Sequence, residues 1–221
     1  MWDVLRGIGI ALILLLNFAI SWFNAWAAGK AWPERRELAW PARIVLWSTA
    51  LMSFVGFSWC YLFLIGFGLY KFHDSWSALS WMDATRFEQM QSLGYVILMP
   101  VLLVTGLVLT IDAWAAAWRR RQAADIGVAV YDTFAMIYNT AEAIQYLPGA
   151  FDKVGDLFSD NDRDLEDWVV VVIVAIVIAI LFLGLFTTGA IIKASARSHG
   201  RHVVSRYASS GFGRRSRTTE G

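Results

Sequence analysis

Trp168–Ile192, WVVVVIVAIVIAILFLGLFTTGAII, decides how this chain is read. It contains no charged side chain. At about 1.5 Å per residue, a helix of this length spans the roughly 30 Å hydrocarbon core of a bilayer. An acidic run, Asp152–Asp167, leads into it, and a basic tail from Lys193 follows. A segment flanked this way carries an orientation, and every other crossing segment must alternate with it.

The whole chain agrees with a membrane setting. Of its 221 residues 57% are hydrophobic, with a mean hydropathy of +0.50. Soluble domains sit at about 45–50% apolar residues. The net charge is only +1, but the charges are segregated. Residues 152–167 hold seven acids against Lys153 and Arg163, and residues 193–221 hold seven bases against Glu220. That asymmetry is a topology signal. Cys60 is the single cysteine, so neither an intrachain disulfide nor a CxxC site can form.

Three further strongly apolar segments precede Trp168: about 7–28, 44–70 and 92–118. The first ends in Ala25-Trp26-Ala27, which looks like a signal-peptide cleavage site. Its apolar part is too long for that, and its flank has one base beside Asp3. It reads as a membrane helix. Asn17, Ser21 and Asn24 fall on one face of it, and in lipid such a face packs against another helix. The loop Gly29–Arg43 carries Lys30, Arg35, Arg36 and Arg43, with Trp32 and Trp40 suited to the headgroup region. The second segment has Ser48, Ser53, Gly56, Ser58, Gly66 and Gly68, small residues that let helices approach closely. Phe72–Gln91 reads as a polar loop. Pro100 is expected to kink the third segment, and Asp112 near its end suggests an interfacial ion pair with Arg119–Arg121.

The segment 126–147 is amphipathic. Ile126, Val130, Ile137, Ala141 and Ile144 form an apolar stripe at helical spacing. Asp132, Asn139 and Glu142 fall within an arc of about 80° opposite it. Pro148-Gly149 reads as a stop. Such a helix either lies on the membrane surface or crosses it shielded by protein. The distribution of bases separates these cases. With four crossings, ten bases fall on one side and nine on the other. With five, the first loop, the arginine triplet and the tail share one side, giving fourteen against five. The positive-inside rule selects five crossings, with the N-terminus out and the C-terminus cytoplasmic in a bacterial-type inner membrane.

The expected fold is therefore an all-α integral membrane protein. Four strongly apolar transmembrane helices and the crossing amphipathic helix 126–147 make up a domain over residues 1–192. A basic tail, 193–221, follows and taken alone should be disordered. Its arginines, Arg197, Arg201, Arg206, Arg214, Arg215 and Arg217, suit anionic lipid or a partner subunit. No fold motif supports nucleic acid as a partner. Asp160-Asn161-Asp162-Arg163-Asp164 begins like a calcium loop, but Leu165 and Val171 stand where glycine and glutamate are needed. It reads as a solvated acidic cap on the helix that follows.

Nothing in the chain points to a catalytic, cofactor-binding or metal site. There is no G-x-S-x-G, HExxH or P-loop, and no histidine pair in a membrane segment to ligate haem. The leading expectation is a non-catalytic membrane subunit that assembles with copies of itself or other subunits. The alternatives are a channel lined by Asp132, Asn139, Glu142 and Asp112, and an intramembrane lipid-acting enzyme using the same carboxylates.

Overall fold

The computed structural model describes residues 2–159 and 167–197. The acidic run Asp160–Asp164 and the tail arginines Arg201, Arg206, Arg214, Arg215 and Arg217 lie outside the described residues. Five helices follow one another: α1 Trp2–Ala31, α2 Trp40–Phe72, α3 Ala84–Arg120, α4 Ala123–Ser159 and α5 Asp167–Arg197. Four of them, α1, α2, α3 and α5, are long and apolar enough to cross a membrane. The protein is a multi-pass helical membrane bundle.

Each helix outruns its apolar segment. A helix of 37 residues, such as α3 or α4, is about 55 Å long, well beyond a bilayer core of about 30 Å. Two expectations change as a result. Residues 72–91 are not all loop, because α3 starts at Ala84. Asp83 caps it, its side-chain oxygen accepting from the Arg86 N–H at 2.8 Å. Nor does Pro148 end the amphipathic helix, since α4 runs through it to Ser159. A proline removes one backbone donor, a loss that neighbouring groups can absorb in a membrane helix.

The α1–α2 connection is short and tied down. Pro41 occupies the first turn of α2, where its missing N–H costs nothing. Arg43 donates from Nε to the Leu38 carbonyl at 2.8 Å and from Nη2 to the Arg36 carbonyl at 2.6 Å.

Helix α2 is the hub, packing against α1, α3 and α5, while α4 packs on the far side of α3. One core cluster joins α1, α2 and α5 through Ala25, Ala28, Leu46, Phe57 and Ile192. Another, around Leu62, Met90, Ile173 and Ile180, joins α2, α3 and α5. Small residues set the spacing. A side chain at Gly56 would collide with Ser21, and one at Gly184 with Ser58. Large apolar residues such as Leu12, Leu15, Val104 and Phe186 point outward, as expected of surfaces facing hydrocarbon.

The contacts also give the relative directions of the helices. Near its end, α1 places Gly29 against Ile192 and Ser195 near the end of α5. Ser21 and Thr188 both meet Ser53 of α2. Helices α1 and α5 are therefore parallel. Helix α4 instead runs back along α3, with Arg120–Asp125 at one end and Glu88–Lys153 at the other. All nine lysines and arginines of the 30–43 loop, the 119–121 triplet and the end of α5 collect at one end of the bundle. Among residues whose side chains are described, the opposite end holds three, Lys71, Arg86 and Lys153.

Candidate functional site

Helix α4 carries several ionisable groups while packing along the membrane-spanning α3, so the site is built around it. Its contact with α3 begins with alanines. Ala113 and Ala117 of α3 meet Ala129 of α4, letting the backbones come close. That closeness brings polar groups into reach. Thr110 Oγ1 donates to the Asp132 carbonyl at 3.3 Å while also facing the Gly106 carbonyl at 2.9 Å. Trp114 Nε1 donates to Thr133 Oγ1 at 2.8 Å, and that hydroxyl donates to the Ala129 carbonyl at 2.7 Å. Arg120 Nη2 meets Asp125 at 3.0 Å where the chain turns back, the reversal being made by Arg121 with φ of 51°.

Asp132 and Asn139 are half-buried on the seam side of α4, while Ile126, Val130, Ile137, Ala141 and Ile144 are exposed. On this side of α4 the polar pair is the more covered and the apolar stripe the more open, the order that suits a hydrocarbon surround. Asp112 is 9% exposed on α3, within a turn of the buried Leu109, Ala113 and Ala116. The arginine triplet reaches Asp125 through Arg120.

Glu142 lies further round α4, on the side of Tyr95 of α3. It is half-buried, and its Oε1 accepts from the Tyr138 hydroxyl at 2.8 Å. Around it an exposed flank of α4 carries Tyr131, Tyr138, Gln145 and Tyr146, with Tyr138 63% exposed. Tyr95 of α3 lies within electrostatic range of Glu142, Tyr138 and Tyr146. Its ring packs on Trp59 of α2 at 5.7 Å. Its hydroxyl is buried and has no hydrogen-bond partner among the described residues. Sequence reading passed over Tyr95. The only signal was a phenol next to Gly94 inside an otherwise apolar run.

A second polar cluster lies between α1, α2 and α5. Ser21 is 2% exposed and Asn24 8%, and Asn17 is half-buried. Ser21 Oγ donates to the Asn17 carbonyl at 2.7 Å, and Ser53 Oγ to the Ser21 carbonyl at 2.8 Å. Ser53 and Thr188 stand 3.4 Å apart, and Tyr61 and Thr187 hydroxyls 3.0 Å apart. Apart from the Ser21–Asn17 bond, which lies within α1, these are helix-to-helix ties that satisfy hydroxyls in an apolar interior. Thr187 and Thr188 were visible as a polar pair in the last membrane segment, but sequence alone did not say which helix they met.

Among the described residues no group of three or more His, Cys, Asp or Glu comes together as a metal-binding cluster. Arg197 closes α5 and is exposed. The outside of α4 thus presents phenols, an amide and a carboxylate. No family model, no curated protein and no solved structure matches this chain.

Proposed function

We propose that this protein is a non-catalytic integral membrane subunit that assembles, through α4, into a homo-oligomer or a larger membrane complex. One observation carries the reading. Tyr131, Tyr138, Gln145 and Tyr146 are exposed, with Glu142 half-buried beside them, on a helix that runs the full length of a membrane-spanning neighbour. Polar groups facing hydrocarbon are costly, so a protein partner that covers them is favoured. The five helices cross in alternation, with the basic end cytoplasmic, the N-terminus outside and the tail inside a bacterial-type inner membrane. Anionic lipids gather at that basic end and along the tail. The channel alternative has less support, because Asp132 and Asn139 are half-buried rather than open.

The test is extraction of the tagged chain from its own membrane in mild detergent. The wild-type chain is expected to elute in a particle well above its 24.8 kDa monomer mass, detergent excluded. Replacing Glu142 and Gln145 with Leu should disperse that particle while leaving the chain folded. A wild-type monomer overturns the proposal. So does an intact particle with an ion conductance that Asp132→Asn abolishes, which would restore the channel reading.

A further inference from the structure

The exposed flank of α4 has a repeat. Tyr131, Tyr138 and Gln145 follow one another at seven-residue spacing, and Ala135, Glu142 and Gly149 do the same four residues on. On an α-helix these two columns lie side by side, and a seven-residue repeat is the spacing at which two helices keep one seam in contact. The columns differ in bulk. The first is long and polar, while Ala135 and Gly149 bracket Glu142 with small residues. A side chain added at Gly149 would meet nothing within the protomer.

The hydrogen-bonding groups on this stripe are unequally used. Tyr138 occupies Glu142 Oε1. Among the described residues, Oε2 of Glu142 accepts no hydrogen bond and the Gln145 amide makes none. The stripe thus offers a charged acceptor and an amide donor only three residues apart, about 4.5 Å along the axis. A surface that carries both halves of a hydrogen bond at nearly one depth is complementary to itself under a two-fold axis.

We infer that the occupant of this flank is a second copy of the chain. The two α4 helices lie parallel across a two-fold axis along the membrane normal, and the Gln145 amide of each copy donates to Glu142 of the other. Symmetry makes the bond twice. Parallel α4 helices place both copies' basic ends on one membrane side, consistent with a shared orientation. Ala135 and Gly149 leave room for the approach, and the tyrosines close the stripe on either side of the pair. This inference rests on the reading of α4 as a crossing helix of an assembling subunit.

The experiment uses the purified full-length chain in lipid vesicles. Cys60 is replaced by Ala, and a single cysteine is placed at Gln145 or at Ile144. Ile144 is exposed at the same depth but about 100° further round the helix. Copper phenanthroline oxidation is expected to give a disulfide dimer as the main product for Gln145→Cys and only a minor one for Ile144→Cys. Glu142→Leu should weaken dimerisation of the otherwise wild-type chain roughly tenfold, the scale of two lost interhelical hydrogen bonds. Cross-linking that is equal at the two positions, or stronger at Ile144, overturns the inference. If the cysteine variants fail to fold, native mass spectrometry of the wild-type chain from lipid decides, and a monomer there overturns it.

The two levels fail differently. Rapid labelling of Gln145→Cys by a water-borne maleimide, at the rate of a surface residue, refutes the crossing helix and the inference with it. A protected cysteine on a chain that is monomeric alone, yet part of a larger particle in its own membrane, refutes only the self-contact. The partner is then a different protein, and the subunit reading stands.

Discussion

Gly29 lies against Ile192: a Cβ on Gly29 would stand 2.7 Å from the Ile192 carbonyl oxygen. The first residue is two from the end of α1 and the second five from the end of α5. Two helices whose ends meet this way run in the same direction, so an even number of reversals separates them from their common start. Fusions of a topology reporter after Arg121 and after Arg217 should therefore both read cytoplasmic, and one after Ser159 external. Opposite readings for the first two would mean that α4 does not cross.

Much of the architecture was readable because hydrocarbon imposes a simple rule on composition. Uncharged runs of membrane length announce α1, α2, α3 and α5 without any knowledge of their contacts. Helix α4 was readable only through its periodicity and through the distribution of bases, since a stripe from Ile126 to Ile144 looks the same on a surface helix. The site was less legible. The arc from Asp132 to Glu142 was seen as one face, but packing divides it: Asp132 and Asn139 go to the seam, whereas Glu142 stands with tyrosines at its edge. That division depends on where the alanines of α3 let α4 settle, which is a three-dimensional property. Tyr95 shows the same limit, because a phenol in an apolar run gives no hint of the helix it faces.

The contact at Gly29 has an energetic consequence. Gly29→Val forces a branched side chain against backbone atoms of α5, which cannot yield as a flexible side chain would. Overpacking of this sort costs about 1–3 kcal/mol. Thermal unfolding in detergent should show a clear loss. Gly68→Val makes a control, since a side chain there meets nothing within 4 Å. Equal effects at the two positions would contradict the parallel packing of α1 and α5.

Within the α3–α4 seam, shape should matter more than the single hydrogen bond. Thr133→Val removes the acceptor of the Trp114 indole and should cost about 0.6–1 kcal/mol, the range of interhelical bonds in membranes. Ala129→Leu drives three extra carbons into the alanine contact with Ala113 and Ala117 and should cost about 1–3 kcal/mol. The ordering, with Ala129→Leu the worse, can be read from detergent melting curves. The reverse ordering would place the main tie of α4 in its polar bonds instead.

Serine and amide ties between α1 and α2 should be felt as a group. Asn17, Ser21 and Asn24 share a face, and Ser21 is both donor to Asn17 and acceptor from Ser53. Replacing all three with Leu removes Ser21's donor to Asn17, which Ser21 makes within its own helix. It also crowds Gly56, where Ser21 already fills the space. The triple variant should lose stability in detergent. Ser21→Ala alone, which keeps the backbone carbonyl that Ser53 uses, should lose much less. Indistinguishable melting curves for the triple variant and the wild type would show that this face does not pack.

The ion pair between Lys153 and Glu88 offers the sharpest chemical check on α4. Its partners are 65 residues apart in sequence, and Lys153 Nζ stands 2.6 Å from Glu88 Oε2. Both side chains are open to water, 47% and 60% exposed, so the pair itself should add at most about 1 kcal/mol to stability and weaken in salt. Its value is as a ruler. A water-soluble carbodiimide activates the Glu88 carboxyl as an O-acylisourea, and an amine already in contact attacks its carbonyl carbon to form an amide, expelling the substituted urea, so that the linked peptides together are one water lighter. Treatment of the chain in vesicles should therefore yield an intrachain link between the Glu88 and Lys153 peptides, identifiable by mass. Lys153→Arg keeps the charge but not the primary amine, and should abolish the product without changing the fold. A helix that ended at Pro148, or one lying flat at the opposite face of the membrane, could not bring Lys153 to the start of α3. Failure to form the link, with other surface carboxyls reacting normally, would show that α4 does not run the length of α3.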